Sequence, residues 1–274
     1  MSMKQPLICE IAKNTFLINE YGFDCMFFLK GKEKGLLIDT GTGTFDLKGM
    51  IDSFCSLPYD VLLTHGHVDH AGGIDQFDKI MIHPADIEMA RNLTYEERYG
   101  YAEALHSMDT DHAFAFSMDQ VRRWDRIPEF IPVQEGTMDL GGRPLRIYHT
   151  PGHTPGSIVI LDEINRILIS ADACNRNTLC VSGCTVETLL NSALKIQSLK
   201  PYFDRDYNGH VGYAGMPYIC SQYEGVHEDV IAACRSVMNQ TAQVTDEQFH
   251  GRAVCAVTSG NARIVFDPEL IYNR

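Results

Sequence analysis

Short apolar runs separated by polar turns fill the first third of the chain and predict β-strands. We expect strands over 8–18, 25–29, 35–38, 59–64 and 79–83. A helix is expected over 45–54, between the third and fourth of these strands. Strands and helices are therefore interleaved from the start of the chain, which is typical of an α/β protein.

The rest of the chain continues this interleaving. Residues 86–126 predict helical structure, and 130–170 predict further strands joined by turns. Later elements are an amphipathic helix, a short strand with its loop, a second helix and a hairpin, over 186–199, 203–211, 224–238 and 253–266. The chain shows no repeat, low-complexity stretch or linker. We therefore expect one α/β layered domain over 1–274, with mixed sheets inside, helices outside and a helical insertion at about 86–126.

Composition narrows the range of partners. The 274 residues are 45% hydrophobic and 22% charged, which is ordinary for a protein with a full core. The net charge of −13 opposes a nucleic-acid or anionic-membrane partner, because both require a basic surface. A small-molecule substrate is the expected partner, and the oligomeric state is left open, with a homodimer as one option.

Cysteine usage and the N-terminus indicate where the protein works. The nine cysteines form no Cys-x-x-Cys pair, and their number is odd, so buried reduced thiols are expected rather than a disulfide framework. Residues 1–6 lead into no long apolar signal segment, and no stretch approaches the ~20 apolar residues of a membrane span. We expect a cytoplasmic protein.

The segment T-H-G-H-V-D-H at 64–70 follows the predicted strand at 59–64 and carries three histidines and one aspartate. A solvated loop has no reason to prefer imidazole, so a metal site is favoured over a polar loop. In an extended segment, side chains at 65, 67 and 69 would point the same way. His70 breaks this alternation, so the segment could serve two neighbouring ions.

Three further residues have the character of metal ligands. His153 lies between two Pro/Gly turns, which restrict the backbone around it. Asp172 ends the apolar strand 167–171 and is either a helix cap or a ligand that two cations share. His210 lies in another glycine-flanked loop.

Taken together, these segments resemble the metallo-β-lactamase superfamily. The resemblance rests on H-x-H-x-D-H at 65–70, G-H-T-P-G-S at 152–157, Asp172, and Gly-His at 209–210, which occur in the order and spacing of that family. It covers roughly residues 10 to 215. The fold it implies is a four-layer αβ/βα sandwich, in which two mixed sheets are flanked by helices and the site lies at one edge of the sheets.

The resemblance also implies the metal ligands and their roles. One ion would be held by His65, His67 and His153, and a second by Asp69, His70 and His210. Asp172 would bridge the two ions together with a hydroxide. Two zinc ions per chain are expected from the ligand types, and iron or manganese would fit the same groups. Asp69 would be the catalytic residue that orients the nucleophile and moves its proton.

The implied activity is that of a dinuclear metal hydrolase. The bridging hydroxide would attack the carbonyl of a small ester, thioester or lactone, as in glyoxalase II-type thioesterases and lactonases, the members that are closest in motif. Two alternatives stay open. One is a persulfide dioxygenase-like oxidoreductase with a single iron, and the other is a β-lactamase. Nothing in the sequence selects the residues that bind substrate.

Other polar residues have weaker interpretations. Asp39 is expected to brace the metal loop through hydrogen bonds rather than to bind metal. His83 and His149 are expected to pack or to support the site, and His106 and His112 are candidates for a lid formed by the insertion. The remaining assignments are packing for Cys174, Cys180 and Cys184 and surface positions for His227 and His250.

Overall fold

The computed structural model describes residues 6–22, 24–108, 118–121, 123, 126–210 and 221–273. These residues form two compact units. The first unit takes in the described residues of 1–133, 138–144 and 209–219, and the second takes in those of 134–137, 145–208 and 220–274. The single-domain assignment stays a prediction.

The first unit is built on a seven-stranded sheet whose strand order follows the sequence. The strands are β1 (Leu7–Ala12), β2 (Thr15–Glu20), β3 (Asp24–Lys30), β4 (Gly35–Ile38), β5 (Tyr59–Leu62), β6 (Lys79–Ile82) and β7 (Glu129–Pro132). Strands β1 to β4 are antiparallel, and β4 to β7 run parallel. The sheet is therefore mixed, as expected, and its parallel strands present their carboxyl ends at one edge.

The predicted strand over 8–18 is wrong as a single element, because the chain turns back within it. Asn14 has a positive φ of 55°, and its backbone N–H donates to the Glu10 side chain at 2.8 Å. Asn tolerates this left-handed conformation better than most residues do. The turn therefore separates β1 from β2, and the two strands pair as a hairpin.

Among the described residues, the α-helices of this unit are α1 (Leu47–Phe54), α2 (Val68–Ala71), α3 (Ile87–Arg91) and α4 (Tyr95–Met108). Within the predicted insertion, α3, α4 and a 3₁₀ turn at Met118–Gln120 are helical as expected. Residues 109–117, 122 and 124–125 of the insertion lie outside the described residues, and His112 is among them. The apolar face of α1 packs with Phe28 and Leu37 of the sheet in the core of this unit.

The remaining strands form two further sheets. They are β8 (Gly136–Asp139), β9 (Pro144–His149), β10 (Ile158–Asp162), β11 (Ile167–Ile169), β12 (Asn177–Cys180), β13 (Arg205–Tyr207), β14 (Thr245–Phe249), β15 (Arg252–Ser259) and β16 (Ala262–Phe266). One sheet has the order β13-β11-β10-β9-β8, and the other has the order β12-β16-β15-β14. Both contain parallel and antiparallel pairs. The predicted α/β class with mixed sheets is confirmed.

Two helices, α5 (Val186–Ser198) and α6 (Val226–Met238), complete the second unit and pack against each other. Thr185 caps α5 by accepting a hydrogen bond from the backbone N–H of Thr188 at 3.0 Å. Cys174, Cys180 and Cys184 lie in the core beside these helices, so their expected packing role is confirmed.

His227 is wrong as a surface residue. Only 1% of it is exposed, and its Nε2 lies 2.9 Å from Oδ2 of Asp206, a buried carboxylate on β13. Gln222 donates to the same oxygen at 2.8 Å. A buried carboxylate therefore supplies the partner that a buried imidazole requires. His250 is exposed, as expected.

Candidate metal centre

Polar residues follow the carboxyl ends of the parallel strands in the first unit. Asp39 comes directly after β4, Thr64 and His65 follow β5, and His83 follows β6. Because neighbouring parallel strands end at the same edge, these residues share one edge of the seven-stranded sheet. Helix α2 begins three residues after His65 and carries Asp69 and His70.

The prediction that Asp69 lies in an extended segment with His65 and His67 is wrong. Helix α2 begins at Val68, and the backbone N–H groups of His70 and Ala71 both donate to the carbonyl oxygen of His67, at 3.1 and 2.8 Å. Asp69 therefore lies in a helical turn rather than in an extended segment. Its neighbour His70 is fully buried, and the Asp69 side chain is 14% exposed.

Asp69, His70 and His210 form a compact set of donors in the first unit. Each offers one ligand atom, and these atoms lie within 4.8 Å of one another. Asp69 Oδ2 is 3.8 Å from His70 Nε2 and 3.6 Å from His210 Nε2. Two ligands at the usual zinc distances in a tetrahedral site are separated by about 3.3–3.6 Å. The spacing and the donor types therefore fit a shared divalent cation.

His65 and His67 lie in the same unit beside this set. Their rings are 4.8 Å apart at 86°, and the rings of His65 and His70 are 4.1 Å apart. His65 is buried, and its Nδ1 is 3.1 Å from the hydroxyl of Thr64. Five of the seven predicted ligands thus lie in the first unit.

The other two predicted ligands, His153 and Asp172, belong to the second unit. Nε2 of His153 lies 3.7 Å from Oδ2 of Asp172, and Nδ1 of His153 lies 2.8 Å from the carbonyl oxygen of Leu179. Gly152 has a φ of 151°, and a Cβ there would come within 2.9 Å of the Leu189 backbone. The glycine before the histidine is therefore required by close backbone approach.

Asp39 braces the metal loop, as expected. Its carboxylate accepts hydrogen bonds from the Thr64 backbone N–H and hydroxyl, both at 2.7 Å, and from His70 Nδ1 at 2.8 Å. A proton held on Nδ1 leaves the lone pair of Nε2 available for a metal. Asp39 therefore sets both the position and the tautomer of His70.

Asp24 has a similar relation to His210, and the sequence analysis missed it. Its Oδ1 lies 3.2 Å from His210 Nδ1, and its Oδ2 accepts from the Thr42 hydroxyl at 2.7 Å. The backbone N–H of Cys25 also donates to the carbonyl oxygen of Gly209 at 2.8 Å, which fixes the loop to β3. Complete burial raises the pKa of Asp24, and the contact with His210 opposes that rise. The one sequence signal was a carboxylate at the start of an apolar strand.

Glu20 and Arg98 hold the loop that follows β4. The Glu20 carboxylate accepts from the backbone N–H groups of Thr42 and Thr44, at 2.6 and 3.0 Å. Burial, followed by the nearby charge of Asp24, raises the pKa of Glu20 to about 7. Arg98 of α4 donates to the carbonyl oxygen of Thr42 at 2.9 Å. Neither residue was singled out from the sequence.

The same loop is joined to α2. The backbone N–H of Thr40 donates to the carbonyl oxygen of His70 at 2.8 Å, and that of Gly72 donates to the carbonyl oxygen of Gly41 at 2.8 Å. The helix that carries two predicted ligands is therefore held at its C-terminal end by this loop.

His83 and His149 have local supporting contacts. Nδ1 of His83 accepts from the backbone N–H of Ala85 at 3.4 Å, at the start of a 3₁₀ turn. Nε2 of His149 lies 2.9 Å from the carbonyl oxygen of Pro155, across the turn that contains His153. His106 lies on α4, within the insertion.

Comparison with known proteins places this geometry in a family. A model of the metallo-beta-lactamase superfamily matches residues 25–203. Acyl-coenzyme A thioesterase MBLAC2 of Bos taurus is 31% identical over 164 residues, which cover 54% of this chain and 57% of that protein. Probable metallo-hydrolase YybB of Bacillus subtilis (strain 168) is 28% identical over 178 residues, covering 58% of this chain and 71% of that protein. The chain thus spans little more than half the length of the first relative.

A solved structure shows the same fold. The metallo-beta-lactamase from Pontibacter korlensis superimposes with a TM-score of 0.60 at 14% identity, covering 83% of this chain and 98% of that one. No helix among the described residues is long and apolar enough to cross a bilayer. The fold implied by the sequence motifs is confirmed, and the match over 25–203 shows that the chain belongs to the metallo-beta-lactamase superfamily.

Proposed function

We propose that the chain is a metal-dependent hydrolase that cleaves a small thioester, ester or lactone at a two-zinc centre. Membership of the superfamily supports this proposal, and so do the printed names of two relatives, a thioesterase and a probable metallo-hydrolase. The matches cover 57% and 71% of those relatives, so activity and substrate are proposed for this chain rather than transferred to it.

The observation that carries the proposal is the arrangement of Asp69, His70 and His210. Nδ1 of each histidine faces a buried carboxylate, Asp39 for His70 and Asp24 for His210, while Nε2 of each faces Asp69. This is the carboxylate–histidine pattern that supports zinc ligands in proteins. Packing alone does not require two imidazoles to point their Nε2 atoms at one carboxylate, so this orientation favours a bound cation.

All seven predicted ligands have a role in the proposed centre. Asp69, His70 and His210 would hold one ion, and His65, His67 and His153 would hold the other. Asp172 would be shared between the ions. When bound, the cations supply Lewis acidity that lowers the pKa of water and polarises a carbonyl group. Zinc suits this nitrogen and oxygen donor set, and iron or manganese also fit it.

Asp69 is the proposed catalytic residue. Its carboxylate is partly exposed, and the Nε2 atoms of His70 and His210 face it. A carboxylate in this position can accept a proton from attacking water and return it to the leaving group. Two buried carboxylates beside it, Asp24 and Asp39, are turned towards imidazole Nδ1 atoms and serve to hold the ligands.

Among the three substrate classes we place thioesters first, because the relative in Bos taurus is named a thioesterase. The net charge of −13 disfavours a large polyanionic carrier unless a local basic site receives it. The thioesterase assay should therefore use the acyl group attached to two different carriers. Acyl-coenzyme A carries phosphates, and S-acyl pantetheine has the same thioester without them.

The test is a hydrolysis panel with zinc-loaded protein. It comprises acyl-coenzyme A and S-acyl pantetheine of several chain lengths, aryl esters, lactones and a β-lactam. We expect thioester hydrolysis that a chelator abolishes and zinc restores. His70→Ala should lower kcat/KM by at least about a hundredfold, whereas His250→Ala, at an exposed histidine, should leave it unchanged.

Other outcomes would contradict the proposal. Faster hydrolysis of the β-lactam than of any acyl substrate would indicate a β-lactamase. Oxygen consumption with a persulfide by iron-loaded protein, together with no hydrolysis of the panel by zinc-loaded protein, would indicate the oxidoreductase alternative.

A further inference from the structure

Helix α4 of the insertion packs against α2, the helix that carries Asp69 and His70. Arg98 and Tyr101 lie three positions apart on α4 and therefore share one face of it. Arg98 donates to the carbonyl oxygen of Thr42 in the loop after β4, at 2.9 Å. The insertion is thus attached to the same loop that holds α2.

Tyr101 reaches further into the ligand cluster than Arg98 does. Its hydroxyl donates to Oδ1 of Asp24 at 3.1 Å and also lies near Asp69. These two carboxylates contact opposite nitrogens of the same imidazole. Asp24 faces Nδ1 of His210 at 3.2 Å, and Asp69 faces Nε2 at 3.6 Å. Tyr101 therefore lies beside both groups that orient His210.

Electrostatics explains why a hydroxyl is useful at this point. Asp24 and Asp69 lie on either side of the same imidazole, so their negative charges repel each other. A phenol that stays protonated donates a hydrogen bond without adding a charge. The hydroxyl can hold Asp24 and Asp69 at a fixed separation. A lysine or arginine in its place would add a positive charge that competes with the metal cation for Asp69.

We propose that Tyr101 is a positioning residue for the metal centre, acting through Asp24 and Asp69 on the ion held by Asp69, His70 and His210. This inference rests on the proposed function, because it assumes that these three residues bind metal. It makes the inserted helix α4 part of the structure that supports the metal site.

The test is zinc titration of metal-free protein against a competing chelator, which requires no substrate. Tyr101→Phe removes the hydroxyl and keeps the ring. Tyr99→Phe makes the same change on the same helix, where the ring packs against Tyr95 with centroids 5.7 Å apart. Residues that orient metal ligands typically contribute 10- to 100-fold in affinity. We expect Tyr101→Phe to weaken one of the two zinc equivalents by about tenfold and Tyr99→Phe to weaken neither.

A double-variant cycle tests the route of the effect. If Tyr101 acts through Asp24, the pair Asp24→Asn and Tyr101→Phe should bind zinc no more weakly than Asp24→Asn alone. The thermal midpoint of metal-free Tyr101→Phe should fall by only a few degrees, about the effect of losing the one hydrogen bond to Asp24. Its far-ultraviolet circular dichroism should match that of Tyr99→Phe, which separates positioning from a general loss of packing.

Three results would overturn the inference. Wild-type affinity in Tyr101→Phe would show that the hydroxyl does not position the ligands. Equal weakening by Tyr99→Phe would assign the effect to the helix as a whole. Absence of zinc binding in the wild-type protein would refute the proposed function as well. Two tight zinc sites whose affinities are unchanged in Tyr101→Phe would refute the inference alone.

Discussion

The buried carboxylate of Asp39 gives a sharp test of how the metal loop is held. It is 1% exposed and accepts three hydrogen bonds, two from Thr64 and one from His70 Nδ1. Asp39→Asn keeps the size of the side chain and the tolerance for a φ of 62°. It replaces one carboxylate oxygen with an NH₂ group, which cannot accept a hydrogen bond.

The consequence depends on which donors can adapt. The Thr64 backbone N–H keeps an oxygen acceptor, and the Thr64 hydroxyl can rotate and accept instead of donating. The Nδ1–H group of His70 cannot adapt in this way. Leaving it buried and unpaired costs about 1–3 kcal/mol. Alternatively the proton moves to Nε2, which restores the hydrogen bond but removes the lone pair that a metal needs.

The two substitutions at this position should therefore have different signatures. For Asp39→Asn we expect about 1–3 kcal/mol lower free energy of unfolding without metal, and zinc affinity lower by about 10- to 100-fold. Asp39→Ala removes both carboxylate oxygens and with them all three hydrogen bonds. At about 1–2 kcal/mol for each lost bond, we expect a loss of about 3–6 kcal/mol, a large part of the stability of an ordinary domain.

The assays are urea unfolding in chelator, followed by circular dichroism, and zinc titration. Asp60→Asn is the matched control, because the Asp60 carboxylate pairs with Lys34 at 2.7 Å on the surface and is 41% exposed. It should cost less than about 1 kcal/mol and leave zinc binding unchanged. Wild-type zinc affinity in Asp39→Asn, or equal losses in Asp60→Asn, would refute the tautomer argument.

Two further predictions concern the same region. Burial raises the pKa of Glu20 from 4.5 to about 7, so the folded chain binds its proton more tightly than the unfolded chain, and stability should fall as the pH rises between these values. Glu20→Gln should remove roughly 3 kcal/mol of that pH dependence, measured as the difference from wild type by urea unfolding in chelator; equal slopes would contradict it. Gly72→Ala should lower the free energy of unfolding by about 1–3 kcal/mol or more, because its Cβ would lie 2.3 Å from the Thr42 carbonyl oxygen. Gly100→Ala on α4 has no atom within 4 Å of its Cβ and should stabilise the protein by about 0.5–1 kcal/mol. Thermal unfolding that ranks the two variants the other way would exclude this explanation.

Local chemistry explains what the sequence could predict. The motif at 65–70 and the glycine-flanked His153 and His210 stand out because their neighbours restrict the backbone. The role of Asp39 was also predictable, since it ends a strand beside the strand that leads to the metal loop. The order of strands and helices was sufficient for the fold class.

The missed contacts depend on long-range packing. Asp24 and Tyr101 are 77 residues apart and meet only because α4 packs on the loop and helix beside β3. Neither residue belongs to a local motif. His227 was misjudged for the same reason, because its partner Asp206 lies on β13, 21 residues earlier in the chain.

Local conformation also limited the prediction at two points. Alternation along 65–69 assumed an extended segment, whereas hydrogen bonds to the His67 carbonyl oxygen start a helix there. The largely apolar stretch over 8–18 predicts one strand, although Lys13 and Asn14 interrupt it, and Asn14 has the positive φ of a turn. A short polar interruption is weak evidence for a turn until the pairing of the two strands is known.

Elemental analysis of the protein purified without added metal, beside His67→Ala, tests the proposed two-zinc centre without any need for a substrate. We expect about two zinc ions per chain in the wild-type protein and clearly fewer in the variant. About one iron ion per chain would contradict the two-zinc hydrolase in favour of oxygen chemistry. An absence of metal from both proteins would contradict the assignment of the ligands themselves.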